Sequence, residues 1–310
     1  MNDFAIHTKN LTRDFKTVRA LDGLSLEVPQ GIVFGFLGPN GAGKTTTIRL
    51  LLGLLEPTGG DAHVLGYDIR TRAGEVRART GALLENTGLY ERLSAEDNLD
   101  FYGRAWRMSA TDRRARIKEL LTRIDLWERR KEPVGTWSRG MKQKLAVSRA
   151  ILHRPSLLFL DEPTAGLDPV AAAALREHLS NLVKREGLTV FLTTHNLSEA
   201  EKLCSKVGVI SHGKLLTVGH PDELRLRTGQ ARVEVTGHGF TEKALDHIRE
   251  RREVVSLDIT DSRLVITLNG EVSTAPLVRQ MVQDGIEIEE VRKGTASLEE
   301  AFLKLMEEDR

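Results

Sequence analysis

The nine residues Gly38-Pro39-Asn40-Gly41-Ala42-Gly43-Lys44-Thr45-Thr46 follow the spacing G-x-x-x-x-G-K-[ST], which suits the cradling of a phosphate chain. A triphosphate crowds several negative charges into a small volume. Glycines at 38, 41 and 43 let the backbone take positive φ and approach without a Cβ clash. Successive N–H groups can then converge on phosphate oxygens. Lys44 brings a point charge to the β and γ phosphates, and the Thr45 hydroxyl can ligate Mg2+. The flanking sequence fits: Ile32 to Leu37 reads as a buried strand and Thr47 to Leu52 as a helix stopped at Gly53. A helix starting near Gly43 points its positive dipole end at the same anion.

A second group of residues complements the first. Leu157-Leu158-Phe159-Leu160 reads as a strand buried on both faces, and Asp161 and Glu162 follow at its carboxyl end. Ligands of open α/β sheets bind beyond those strand ends. There Asp161 can hold Mg2+ and Glu162 can polarise an attacking water. Alone, this would be a strand ending in an acidic turn; beside a phosphate loop it is a hydrolytic site. Thr189 to Thr194 is a further buried strand, and it delivers His195 to the same edge.

The elements that must position these groups occupy most of the 310 residues, a length for one large domain and a small one. Net charge is +1, so no overall field draws the chain to nucleic acid or an anionic membrane. Cys204, the only cysteine, sits at helical spacing from Leu197, Ala200 and Leu203 and reads as a packed core thiol. Met1-Asn2-Asp3-Phe4 lacks the basic and apolar regions of a signal peptide. No run approaches the ~20 apolar residues of a membrane span.

Residues 4 to 37 read as short strands, with a turn at Pro29-Gln30-Gly31. Asp61 to Leu65 and Gly81 to Leu84 are further strands. Residues 94 to 132 turn helical, with an apolar stripe of Leu99, Ile117, Leu120, Leu121 and Ile124. The cluster Arg113-Arg114-Ala115-Arg116 reads as a solvated helix face, since Asp112, Glu119 and Asp125 interleave and no aromatics are spaced to stack bases. Val207 to Ile210 and Lys214 to Val218 form a hairpin around His212-Gly213. From about residue 229 the order becomes strand, helix, strand, strand, helix, strand, that of a ferredoxin-like unit, with a last helix from Ser297 to Glu308.

With these motifs in place, residues 4 to 225 resemble the nucleotide-binding subunit of an ATP-binding cassette (ABC) transporter. The resemblance implies an α/β P-loop NTPase cassette: a mixed sheet core, an antiparallel β subdomain and a helical subdomain. Residues 1–228 would form the ATPase and 229–310 a small α+β accessory domain. Phe15 matches the aromatic that stacks on adenine, Gly38 to Thr46 the Walker A loop and Leu157 to Asp161 the Walker B strand. Glu162 matches the catalytic base, Ala165 to Asp168 the D-loop and His195 the switch histidine. The signature, typically L-S-G-G-Q, stands as Trp137-Ser138-Arg139-Gly140-Met141, where Arg139 adds a positive charge. Glu85 stands where a Mg2+-ligating glutamine is usual.

The resemblance implies an ATPase using ATP and Mg2+, with Lys44, Glu162 and His195 catalytic and Thr45, Asp161 and Glu85 around the metal. It implies a head-to-tail dimer, with the same chain or a related one, in which Ser138, Arg139, Gly140 and Asp168 serve the opposite nucleotide. A separate multi-span permease would hold the assembly on the cytoplasmic face of the cell membrane. The unusual signature and appended domain resemble bacterial exporter subunits for drugs, antibiotic peptides, sodium or lipid-linked cargo. The alternative is a soluble ABC-type ATPase acting in regulation or with nucleic acid. Such proteins usually carry two cassettes or a long coiled-coil insertion, and this chain has neither.

Overall fold

A computed structural model describes residues 4–228, 231–269, 273–295 and 297–308. The chain divides into two compact units, Met1–Gly219 and His220–Arg310.

The first unit opens with β1 (Phe4–Phe15) and β2 (Val18–Pro29), a long antiparallel hairpin. Leu24, Leu26 and Val28 alternate inward along β2, as a sheet buried on one face requires. β3 (Val33–Leu37) is buried at every position. It feeds the phosphate loop and α1 (Lys44–Leu51). β4 (Gly59–Val64), β5 (Tyr67–Asp68), α2 (Ala73–Arg79) and β6 (Thr80–Leu83) follow. The first sheet is antiparallel, in the order β2-β1-β4-β5.

Three helices come next: α3 (Ala95–Ala105), α4 (Ala110–Arg123) and α5 (Arg139–Ala150). Ser94, Ser109 and Ser138 cap their first turns by accepting from the N–H groups of Asp97, Asp112 and Met141. The expected stripe of Leu99, Ile117, Leu120, Leu121 and Ile124 is buried. The arginine cluster departs from a solvated face. Arg116 is 1% exposed, donates to Ile151 O at 3.1 Å and pairs with Glu119 at 2.9 Å. Arg113 pairs with Asp100 and donates to Met108 O. Of the interleaved acids, Glu119 pairs with Arg116 and Arg123 along α4, while Arg113 and Arg116 reach Asp100 and Glu186 on neighbouring elements; the charge pattern alone does not distinguish such pairs from a solvated face.

β7 (Leu157–Asp161), α6 (Pro169–Glu186), β8 (Thr189–Thr194), α7 (Leu197–Leu203), β9 (Lys206–Ser211) and β10 (Lys214–Gly219) complete the first unit. The central sheet runs β10-β9-β3-β8-β7-β6. Neighbours from β9 to β6 are parallel; β10 closes the edge antiparallel, in the hairpin expected at His212-Gly213. The mixed and antiparallel sheets match the expected cassette. Phe34, Phe36, Phe159 and Phe191 pack at its centre, with Phe34 stacked on Phe191 at 5.6 Å. Cys204 is buried near Gly35, where a Cβ would lie 2.7 Å from its Sγ; burial pushes its thiol pKa up to about 12.

The second unit begins with α8 (Pro221–Thr228), a helix absent from the sequence reading. β11 (Ala231–His238), α9 (Glu242–Arg249), β12 (Val254–Thr260), β13 (Arg263–Leu268), α10 (Ala275–Gln283), β14 (Glu287–Thr295) and α11 (Leu298–Glu308) follow. Its sheet is antiparallel throughout, in the order β12-β13-β11-β14. Ala244, Leu245 and Ile248 of α9 and Leu277 and Met281 of α10 pack with Val233, Val235, Leu264 and Ile266. α8 packs on α11, which places the division before residue 220 rather than at the expected 229. Gly229 itself lies outside the described residues.

Candidate active site

Three adjacent strands of the central sheet, β3, β8 and β7, bring the chemistry-bearing residues to one edge. β3 ends in the phosphate loop, β7 in Asp161 and Glu162, and β8 in Thr193, Thr194 and His195. The loop bends sharply at Gly43, where φ is 106° and a Cβ would come within 2.5 Å of Ala20 O. Beneath that bend, Thr45 Oγ1 donates to Asp161 Oδ2 at 2.6 Å. Thr193 donates its hydroxyl to the other carboxylate oxygen of Asp161. Asp161 is thus held on both sides, by Thr45 of the phosphate loop and by Thr193 of β8.

Lys44 is 6% exposed; its Nζ donates to Gly38 O at 2.8 Å and Pro39 O at 3.1 Å. Glu162 Oε1 lies 3.7 Å from it. Burial lowers the Lys44 pKa, opposed by the Glu162 and Asp161 carboxylates. Glu162 carries a positive φ of 49°, rare for a residue with a Cβ. Its N–H donates to both Thr193 O and Thr193 Oγ1, at 3.1 Å each, which holds the strained turn. His195 Nδ1 lies 2.9 Å from Glu162 Oε2. Lys44, Asp161, Glu162 and His195, read from three distant segments, are therefore within one ion-pair and hydrogen-bond network.

A cavity of about 650 Å³ opens over this edge, a size that suits a cofactor or nucleotide. Asn40, Gly41, Gly43, Lys44, Thr45 and Thr46 line its floor, and Asp161 and Glu162 line one side. Glu85 lines it too, but its carboxylate is paired with Arg49 Nη2 at 2.9 Å. Phe15 is not among the lining residues; Arg13 lies 4.5 Å over its ring, and Val18, Arg19 and Ala20 form the wall nearby. Arg139 lines the cavity of its own chain and crowds Gly166. Gln143 Nε2 donates to Pro163 O at 2.6 Å. Ser138 and Asp168 instead cap α5 and α6, and Gly140 packs on Ala171.

Sequence reasoning missed Arg49 as the partner of Glu85 and Thr193 as the anchor of Asp161. For Thr193 the sequence shows only its place, one of two threonines after Val190-Phe191-Leu192 and just before His195, and nothing that names Asp161 as its partner. No signal marked Arg49, an ordinary cation on a helix surface.

The chain matches the ABC transporter family over residues 21–165. It is 38% identical to the daunorubicin resistance ATP-binding protein DrrA3 of Streptomyces coeruleorubidus, over 100% of this chain and 98% of that protein. It belongs to the ABC transporter ATP-binding subunits. It is also 34% identical to the bacitracin transport ATP-binding protein BcrA of Bacillus licheniformis, over 97% of each chain. A solved ATP-binding subunit of an ABC transporter matches with a TM-score of 0.65 at 32% identity, covering 72% of this chain and 92% of that one. The cbiO1 structure from Clostridium perfringens matches with a TM-score of 0.67 at 26% identity, covering 72% and 90%.

As an ABC subunit this chain binds ATP and hydrolyses it. No helix among the described residues is long and apolar enough to cross a membrane.

Proposed function

We propose that this ABC subunit powers a separate membrane-spanning permease, in the direction of export, by closing and opening as a head-to-tail dimer around two ATP molecules. The observation that carries the reading is the joining of Lys44, Asp161, Glu162 and His195 at the carboxyl edge of three adjacent strands. The names of the relatives, daunorubicin resistance and bacitracin transport, support a drug or antibiotic cargo.

Backbone N–H groups from Gly38 to Thr46 and the α1 dipole bind the phosphates, and Lys44 bridges β and γ. Glu162 accepts the proton of the attacking water as the γ-phosphorus is attacked, and His195 holds Glu162 and the γ-phosphate in register. Phe15, three residues before the cavity wall at Val18, offers its ring to the adenine. Thr45 and Asp161 supply hydroxyl and carboxylate oxygens, the hard donors that Mg2+ takes, and Glu85 adds a third. Mg2+, when bound, neutralises charge developing on the phosphate oxygens.

In the closed dimer, Ser138, Arg139, Gly140 and Asp168 serve the nucleotide of the second subunit, an identical or related chain. The permease docks beside Glu85 and Leu89, on Tyr90 and Phe101. Their rings meet edge to face at 5.0 Å, and they are 48% and 47% exposed. Asn98, on the same helix as Phe101, is buried and clamps the Tyr90 backbone. Docking holds the subunit on the cytoplasmic face of the membrane. The second unit, with its strand order and the helices α9 and α10 between strands, is ferredoxin-like and accessory.

The experiment is Glu162→Gln in the full chain. It should bind ATP, lose turnover and elute as an ATP-bound dimer in gel filtration. Affinity purification from detergent-solubilised membranes should bring down a multi-span protein, and alanine at Tyr90 and Phe101 should release it while sparing basal ATPase.

A further inference from the structure

We infer that Glu199 is a positioning residue for ATP hydrolysis, fixing the loop that carries Glu162 against the helix that follows His195. The two segments are joined by two rungs. The first is the contact between Glu162 Oε2 and His195 Nδ1 at 2.9 Å. The second lies just beyond it. Thr164 donates its hydroxyl to Glu199 Oε2, and Glu199 Oε1 accepts from Arg176 Nη1 of α6 at 2.9 Å. Thr164 stands two residues past Glu162, and Glu199 one helical turn past His195. Glu199 thereby ties together the loop after β7, α6 and α7.

The surroundings give this rung its weight. The Glu199 side chain is 13% exposed and that of Arg176 21%, so the pair is shielded from solvent and salt. Asn196 caps α7 by accepting from Glu199 N–H, so the start of the helix and its first carboxylate move as one. A cavity of about 320 Å³ has Glu162, Thr164, His195 and Glu199 together in its wall. On the opposite side the same loop is held by Gln143, which donates to Pro163 O. Without Glu199 the loop keeps that anchor and the Glu162 N–H bonds to Thr193, but Thr164 loses its tie to α6 and α7 and the Glu162–His195 contact loses its neighbouring support. A misplacement near 1 Å costs on the order of 10²-fold in rate.

Glu199 does not touch the phosphate loop, so its loss should act on turnover and leave ATP binding alone. This rests on reading Glu162 and His195 as the hydrolytic pair, and the test separates the two. In the full chain, Glu199→Ala and Thr164→Val should each lower kcat by roughly 10- to 10²-fold with the ATP KM within about twofold. Thr164→Ser, which keeps the hydroxyl, should restore wild-type kcat. The double variant Glu199→Ala/Thr164→Val should be no slower than the slower single, since both remove one rung. Unchanged kcat in both singles, multiplying effects in the double, or a Thr164→Ser as slow as Thr164→Val would each overturn the inference. Should Glu199→Ala fail to fold, the valine and serine variants at Thr164 decide it. Glu162→Gln is measured alongside. Wild-type turnover there sinks the hydrolytic reading itself; a dead Glu162→Gln beside fully active Thr164→Val sinks only the role of Glu199.

Discussion

The two units of this chain are both sheets covered by helices, yet only one gathers chemistry. In the first, strands β6, β7, β8, β3 and β9 run parallel, so every carboxyl end leaves on the same edge. Loops from separate parts of the sequence meet there, and α1 opens with its positive end toward the meeting point. In the second, β12, β13, β11 and β14 alternate in direction. Each edge then receives only every other strand end. Its charged groups spread into surface pairs such as Arg263–Glu234 and Arg292–Glu290. Parallel order concentrates loops; antiparallel order disperses them.

The largest expected effect tests the concentrating half of that contrast. Lys44→Ala removes the buried cation of the phosphate loop, and Glu162→Gln removes the carboxylate facing it. Each should lower ATP turnover by at least 10²-fold, the scale of a lost transition-state contact. Lys44→Ala should in addition weaken ATP binding, measured by fluorescent-nucleotide titration, whereas Glu162→Gln should not. Equal binding losses in both would mean that the two residues do not divide the work between holding and hydrolysis.

Next in size is the division itself. A chain ending at Gly219 should bind ATP, because every residue lining the nucleotide cavity lies before it. A fragment of residues 220–310 should unfold cooperatively on heating. A fragment of residues 229–310 should be less stable by about 2–4 kcal/mol, measured by urea titration, since it lacks α8. Leu224 on α8 is 1% exposed, as is Leu298 on α11, and those helices pack on each other. Equal stability of the two fragments would move the boundary back to the one expected from sequence.

That boundary marks how far the sequence could be read. Buried strands and the phosphate loop were legible because their signals are local: a continuous apolar run, glycines at fixed spacing, carboxylates at a strand end. α8 was not, because its eight residues, Pro221 to Thr228, carry four charges and only two leucines, too short a stretch to establish a period. The site was legible in its members but not in its supports. Thr193 binds both Asp161 and Glu162, and Glu199 binds Thr164, across sequence separations that no local pattern reports. Arg116 failed for a related reason: alternating charge on a helix describes solvated faces and buried ion pairs alike.

Acid should also separate the units. In the first, burial pulls the pKa of His153 and of His178 down to about 4 from 6.5, for His178 with help from Lys144 and Arg123. The unfolded chain binds these protons first, so stability is full above pH 6.5, falls as pH drops toward 4 and then levels. Each imidazole accounts for roughly 2–3 kcal/mol over that range. Urea unfolding at neutral and mildly acidic pH should show the fall, and His178→Gln should reduce it by about half. In the second unit, donation from Gln280 and then from His247 lowers the Asp284 pKa. Its contribution is present above the ordinary carboxylate value and is lost only as pH falls below it. A 220–310 fragment should therefore pass through mild acid with less change than the cassette. An equal fall in both would show that the buried imidazoles do not control acid sensitivity.

The smallest expected effect lies at Glu85, where one side chain faces two claims. It lines the nucleotide cavity, where the proposed Mg2+ would draw on it, and it pairs with Arg49 at 2.9 Å with 63% of its side chain exposed. An exposed pair of this kind contributes about 0.2–1 kcal/mol and fades with salt, so a divalent cation beside ATP can draw the carboxylate away. Arg49 then acts as a competitor, and the two residues should move the Mg2+ requirement in opposite directions. Glu85→Ala should raise the Mg2+ concentration for half-maximal ATPase by a few-fold, because one oxygen donor is lost. Glu85→Gln should be mild, since its carbonyl can still ligate. Arg49→Met should lower that concentration, because the carboxylate no longer has to leave a cation to reach the metal. High salt should shift the wild type toward Arg49→Met and leave Arg49→Met where it is. Should the alanine variant keep the wild-type Mg2+ dependence, Glu85 belongs to the surface pair alone, and the metal site narrows to Thr45 and Asp161.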